Sequence, residues 1–280
     1  MRSTALCALA LALLAAFALP RAGFAKEPFA VTFDGPYTSR AMVTGTRAEN
    51  RPAGFADCLD DVLVKVSGNP HLEGDPRLKP YERKAGKLVV AFRYHDQLEG
   101  IPIHDEQGTR DRAFDLICDF KPAAIDKILH ALGETPWKGP RPKLAVFVGV
   151  LTARGPFVLA SDGERGIDQR LSFGTAANKR GFVAILPSTE VLTRRQIDFH
   201  KLDSPQPIRL DMAAKAAGGD LPLWGTLVWS DNPAGWKTQW RFAWHGHEYK
   251  WTGAGISFDE AFRRGFQGVA QILSGHGQPS

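Results

Sequence analysis

The chain is short of cysteine and of long apolar runs, and it has no tract of five or more like-charged residues. Three cysteines in 280 residues exclude a disulfide-dense miniature scaffold. Beyond the first 25 residues no apolar stretch approaches the roughly 20 residues that span a bilayer. A net charge of +5 without a basic tract excludes a dedicated nucleic-acid binder. There is no Gly-x-Ser-x-Gly elbow, no P-loop and no Gly-x-Gly-x-x-Gly turn, so neither a serine nucleophile nor a phosphate cradle is signalled. What is abundant is core-forming material. A hydrophobic content of 44% suffices for packed cores, and the length suits one large domain or two small ones.

Residues 1–25 read as a cleavable signal peptide. Arg2 supplies the positive start, Ala5 to Leu19 is uncharged and apolar, and Gly23-Phe24-Ala25 is a small-x-small cleavage site. The expected product is exported and periplasmic, with secretion as the alternative. Without the leader the net charge is +3 and two cysteines remain, Cys58 and Cys118. Both fall on apolar faces. Cys58 shares a helix stripe with Phe55, Leu59, Val62 and Val66, and Cys118 alternates with Phe114, Leu116 and Phe120. In an oxidising compartment they could pair as a disulfide or remain core thiols.

Strand patterns lie at 29–33 and 41–46. A helix then runs from Asn50 and Pro52 to Gly68, where Asn69-Pro70 forbids continuation. A short helix near 81–86, strands at 87–94 and 113–120, and a helix bracketed by Pro122 and Gly133 complete a first unit. The Pro/Gly-rich stretch 135–142 precedes an apolar run, Leu144 to Leu151. The expected division is therefore 26–139 and 140–280. The second unit is expected to hold a helix at 166–178, a buried strand at 181–186, a helix at 207–217, strands at 221–230 and 236–245, and a helix capped by Ser257 and Glu260. The fold class this implies is α+β: two mixed αβ sandwich domains, each an antiparallel or mixed sheet covered by helices. Residues 26–139 carry net −2 and residues 141–280 net +5.

No residue constellation announces catalysis, and none calls for a cofactor. His245, His247 and Glu248 are the best metal candidates by residue type, although no further ligand follows at a matching spacing. Asp60-Asp61 and His104-Asp105-Glu106 read as a solvated helix face and an exposed loop. Six of seven tryptophans lie between Trp224 and Trp251. Trp236, Trp240, Phe242 and Trp244 share one strand face, which either packs beneath Phe258, Phe262 and Phe266 of the last helix or binds a sugar or peptide.

The segment Val62-Leu-Val-Lys-Val-Ser-Gly-Asn-Pro70 resembles a bacterial family known only as domain of unknown function 2066. Looser similarity extends through Phe120 to Leu129, Trp137, Arg141-Pro142, Arg180-Gly181 and the tryptophan-bearing strands. The resemblance implies an exported protein whose halves are laid out like periplasmic αβ domains of envelope assembly factors. It carries no activity with it. Ser67, Gly68, Asn69, Arg141 and Pro142 are expected to serve structure, at a helix end and a domain entry. The function expected is non-enzymatic binding or assembly in the envelope, with a protein or cell-wall component as partner and no nucleic acid. The alternative is a hydrolase of a wall or envelope substrate built on His245, His247 and Glu248.

Overall fold

A computed structural model describes residues 30–31, 33–100, 112–204, 206 and 208–280. The leader and His104-Asp105-Glu106 lie outside the described residues. The chain is mixed α+β, with one antiparallel and one mixed sheet and eight α-helices among the described residues.

The first strand, β1 (Ala30–Val31), does not join its sequence neighbours but pairs with a strand far along the chain. In β2 (Thr38–Thr44) the small and apolar Ser39, Ala41 and Val43 alternate with Thr38, Arg40, Met42 and Thr44, so one face is buried and one is open. Helix α1 (Arg51–Ser67) covers the buried face, and α2 (Lys79–Glu82) follows it. Strands β3 (Val89–Asp96) and β4 (Ala113–Phe120) complete a three-stranded sheet in the order β2-β4-β3. Leu116, Cys118 and Phe120 of β4 meet Cys58, Leu59 and Val62 of α1 and Ile125 and Leu129 of α3 (Pro122–Ala131). Cys58 and Cys118 are buried free thiols that both donate toward the carbonyl of Leu116, at 3.5 and 3.9 Å. Hydrogen bonding to Cys118, then burial, pushes the Cys58 thiol pKa up.

The apolar run becomes β5 (Leu144–Thr152), which hairpins into β6 (Gly155–Val158). After α4 (Ile167–Arg180) comes β7 (Ala184–Ile185), which takes β1 as its antiparallel partner. Three short helices, α5 (Thr189–Arg194), α6 (Phe199–Asp203) and α7 (Asp211–Ala217), lead to β8 (Leu221–Asp231), β9 (Ala234–Trp244) and β10 (His247–Ile256). The chain closes with α8 (Phe258–Leu273), whose Ser257 side chain accepts from the Glu260 amide as its N-cap. The sheet order is β1-β7-β5-β8-β9-β10, with β6 beside β5, and β5 runs parallel to β7 and β8.

Both faces of this second sheet are covered. Phe173 of α4 and Phe262 and Phe266 of α8 pack on Trp236, Trp240 and Phe242, whereas Leu192, Leu202, Leu210 and Ala214 of the α5–α7 region pack on Phe147 and Trp224. The tryptophan face is therefore core. A strand buried on both sides needs no alternation, which is why β5 reads as an unbroken apolar run. Strands β6 and β10 and helices α5 and α6 are additions to the elements expected, and the buried strand expected at 181–186 shrinks to two residues.

Candidate functional site

Helix α1 organises the site from its last turn outward. The amide of Gly68, at φ 75°, closes the helix onto the Val64 carbonyl. The next carbonyls, which a helix end leaves without partners, are taken by the far side of the molecule. Arg141 Nη2 donates to Lys65 O at 2.6 Å, and the Trp137 amide donates to Val66 O at 2.7 Å. The Arg141 guanidinium lies 3.9 Å over the Trp137 ring, and burial lowers its pKa to about 10. Pro142 stands in the extended lead-in to β5. Ser67 Oγ donates to Leu63 O, and Asn69 Nδ2 donates to Glu134, which reaches His276 near the other end of the chain at 3.2 Å. A Cβ on Gly68 would stand 2.4 Å from Ser274 Oγ. These residues are the rivet between the two sheets.

Beside the rivet lies an ionic junction. Arg180, at the end of α4, is only 1% exposed and reaches Asp61 at 3.4 Å and both Glu73 and Gln267 at 3.1 Å. Lys179 takes the other Asp61 oxygen at 2.8 Å, and Arg263 of α8 pairs with Glu73. Burial lowers the Arg180 pKa, opposed by Asp61 and Glu73. One helical turn from Asp61, Lys65 is buried and donates to Thr38 O at 2.6 Å. Desolvation holds its ammonium pKa down at about 7. Asp61 is thus no solvated helix residue: α1 is sandwiched between the first sheet and α4, so the side turned away from its apolar stripe is buried too.

Alongside this junction runs an open cleft of about 1330 Å³, walled by the open face of the first sheet, by α1 and by α4. Its charge is one-sided. Asp34 pairs with Arg40, and Asp115 takes Gln97 at 2.7 Å and lies 3.8 Å from Arg40 and 3.9 Å from His95, whereas Asp57, Asp60 and Asp259 form no ion pair among the described residues. Asp60 Oδ1 is buried without a hydrogen-bond partner among the described residues. Burial, then repulsion from Glu82, raises the Asp60 pKa to about 7, and burial with repulsion from Asp61 raises that of Asp57. Met42 and Leu171, 69% and 65% exposed, place large apolar side chains in the same cleft. Such a surface can hold a cationic partner with apolar contacts.

The metal candidates are not brought together. His245 (φ 49°) and Gly246 (φ 78°) are the two turn residues joining β9 to β10, with Trp244 paired to His247. His247 and Glu248 point to opposite faces of β10, and Glu248 pairs with Lys250 at 3.1 Å. Among the described residues no group of three or more His, Cys, Asp or Glu side chains is placed to hold a metal ion. Neither the cleft nor the ionic junction was legible from residue type alone. Lys65, a charge inside Val62-Leu-Val-Lys-Val66, was the signal that the last turns of α1 are buried all round.

Residues 30–138 match the family model described as Domain of unknown function (DUF8605). This overturns the resemblance to domain of unknown function 2066. The Val62–Pro70 text that suggested it is what a buried helix ending in a left-handed glycine requires, so it can recur in unrelated chains. No curated protein and no solved structure shows a significant match to the chain.

Proposed function

We propose that this chain is an exported, periplasmic protein acting in the cell envelope as a non-enzymatic binding or assembly factor. The observation that carries the reading is the cleft beside the α1–α4 junction, an open surface where three carboxylates lack ion-pair partners among the described residues and two large apolar side chains face solvent. The signal-peptide pattern of residues 1–25 supports export. Among the described residues no helix is long and apolar enough to cross a membrane. The chain would divide near residue 139, with residues of both units lining the cleft, and the family model's limit at residue 138 supports that division. The hydrolase alternative gains nothing from the structure, since His245, His247 and Glu248 sit on a turn and its following strand and do not line the cleft.

Replacing Leu171 by a photo-crosslinking residue in cells tests this reading. A specific envelope adduct is expected. No adduct at Leu171, or cytoplasmic adducts only, would refute it.

A further inference from the structure

The cleft borders a strand edge that no other strand pairs with among the described residues. Along β2 the hydrogen bonds to β4 fall on alternate residues, as antiparallel pairing demands. Phe120 N donates to Tyr37 O and Gly45 N to Arg112 O. With Ser39 opposite Cys118, Ala41 opposite Leu116 and Val43 opposite Phe114, the odd-numbered residues face β4. The backbone groups of Thr38, Arg40, Met42 and Thr44 therefore point away from the sheet. Two observations agree with this parity: Thr38 O accepts Lys65 Nζ at 2.6 Å, and Thr44 O accepts Asn50 Nδ2. The edge is thus occupied at each end. Between them, the amides and carbonyls of Arg40 and Met42 have no partner among the described residues, and both residues line the cleft.

We propose that the cleft binds a short, extended, lysine- or arginine-bearing segment of another polypeptide, which adds as a strand to β2 at Arg40 and Met42. Four main-chain hydrogen bonds are available to it. The alternating side chains of an added strand would face α1 on one side, with Asp57 and Asp60, and the open sheet face on the other, where Arg40 already pairs with Asp34 and Asp115. The carboxylates on the α1 side, which form no ion pair among the described residues, select a basic occupant. Leu171 and Thr175 of α4 form the opposite wall, so the segment would lie between a strand edge and a helix. Two other strand edges differ: β10 already gives its Lys250 carbonyl to Gln278, and β3 lies on the far side of β4 from β2.

This inference rests on the binding role proposed above, and it can fail separately. The probe is a labelled ten-residue peptide alternating lysine with valine, compared with its glutamate counterpart on the purified protein. The lysine peptide is expected to bind at least about tenfold more tightly, with the gap narrowing in high salt. At saturation, amide exchange at Arg40 and Met42 is expected to slow about tenfold or more, while Val90 and Phe92 of β3 stay unchanged. Met42→Pro removes an outward amide without touching the β4 ladder, so it should cost about tenfold in affinity with little change in melting temperature. Asp57→Asn with Asp60→Asn should erase the lysine preference and leave the exchange pattern intact. Peptide binding that leaves the Arg40 and Met42 amides unprotected would overturn strand addition, even if Leu171 captures an envelope partner. Protection that rises with protein concentration alone would assign the edge to a second copy of this chain and overturn the proposal. Protection by the lysine peptide with no adduct in cells would uphold the site chemistry and refute the envelope role.

Discussion

Asp60 and Asp61 are adjacent on α1 and meet opposite circumstances. Asp61 turns into the junction, where Lys179 and Arg180 both reach it. Asp60 turns into the cleft, where one of its oxygens is buried without a partner among the described residues. A step of 100° around one helix separates a carboxylate whose burial is compensated from one whose burial is not. The first fastens the molecule together, and the second leaves it with an unmet demand for a cation.

The largest blow to this contrast is Arg180→Met. It leaves a buried Asp61 oxygen short of a donor and should cost about 3 kcal/mol in denaturant unfolding, the scale for breaking a buried pair. Adding Asp61→Leu should recover part of that loss, because an apolar replacement of both partners needs no compensation. Next comes Gly68→Ala, expected to cost about 2 kcal/mol by thermal unfolding. The methyl would both strain a positive-φ cap and strike Ser274.

Two titrations sharpen the comparison with opposite signs. Lys65 holds its proton less well folded than unfolded, so its contribution to stability rises with pH from about 7 toward the usual lysine value. Lys65→Met should flatten that rise and stabilise the protein below pH 7 by about 1 kcal/mol. Asp60 keeps its proton to about pH 7 when folded, so its contribution falls between pH 4 and 7. Asp60→Asn should abolish that fall and stabilise the protein at pH 8 by an amount of order 1 kcal/mol, reduced by solvent screening at this half-buried site. Unfolding curves between pH 4 and 10 check both. The smallest effect belongs to the exposed Arg194–Glu190 pair: Arg194→Ala should change stability by less than about 0.5 kcal/mol.

Much of the fold was legible because local rules fixed it. Helix α1 ends at Gly68 since Asn69-Pro70 cannot continue it, and the Trp236, Trp240, Phe242 face packs under α8 as its alternation implies. Strand β10 escaped because His245-Gly246 reads equally well as the end of a hairpin or as the turn within a three-strand meander. The pairing of β1 with β7 escaped because two residues carry no periodicity. The site was hardest to read. Its charges come from α1, α4, α8 and the segment before β5, and which carboxylate acquires a partner depends on docking across long sequence separations.

The pairing of Ala30–Val31 with Ala184–Ile185 imposes a delay on biosynthesis. The partner strand emerges more than 150 residues later, which at about 5–20 residues per second is roughly 8 to 30 seconds. During that interval the first sheet can close on itself while β1 waits unpaired. A fragment trimmed to residues 30–138 would wait indefinitely, carrying β1 without the strand that completes it.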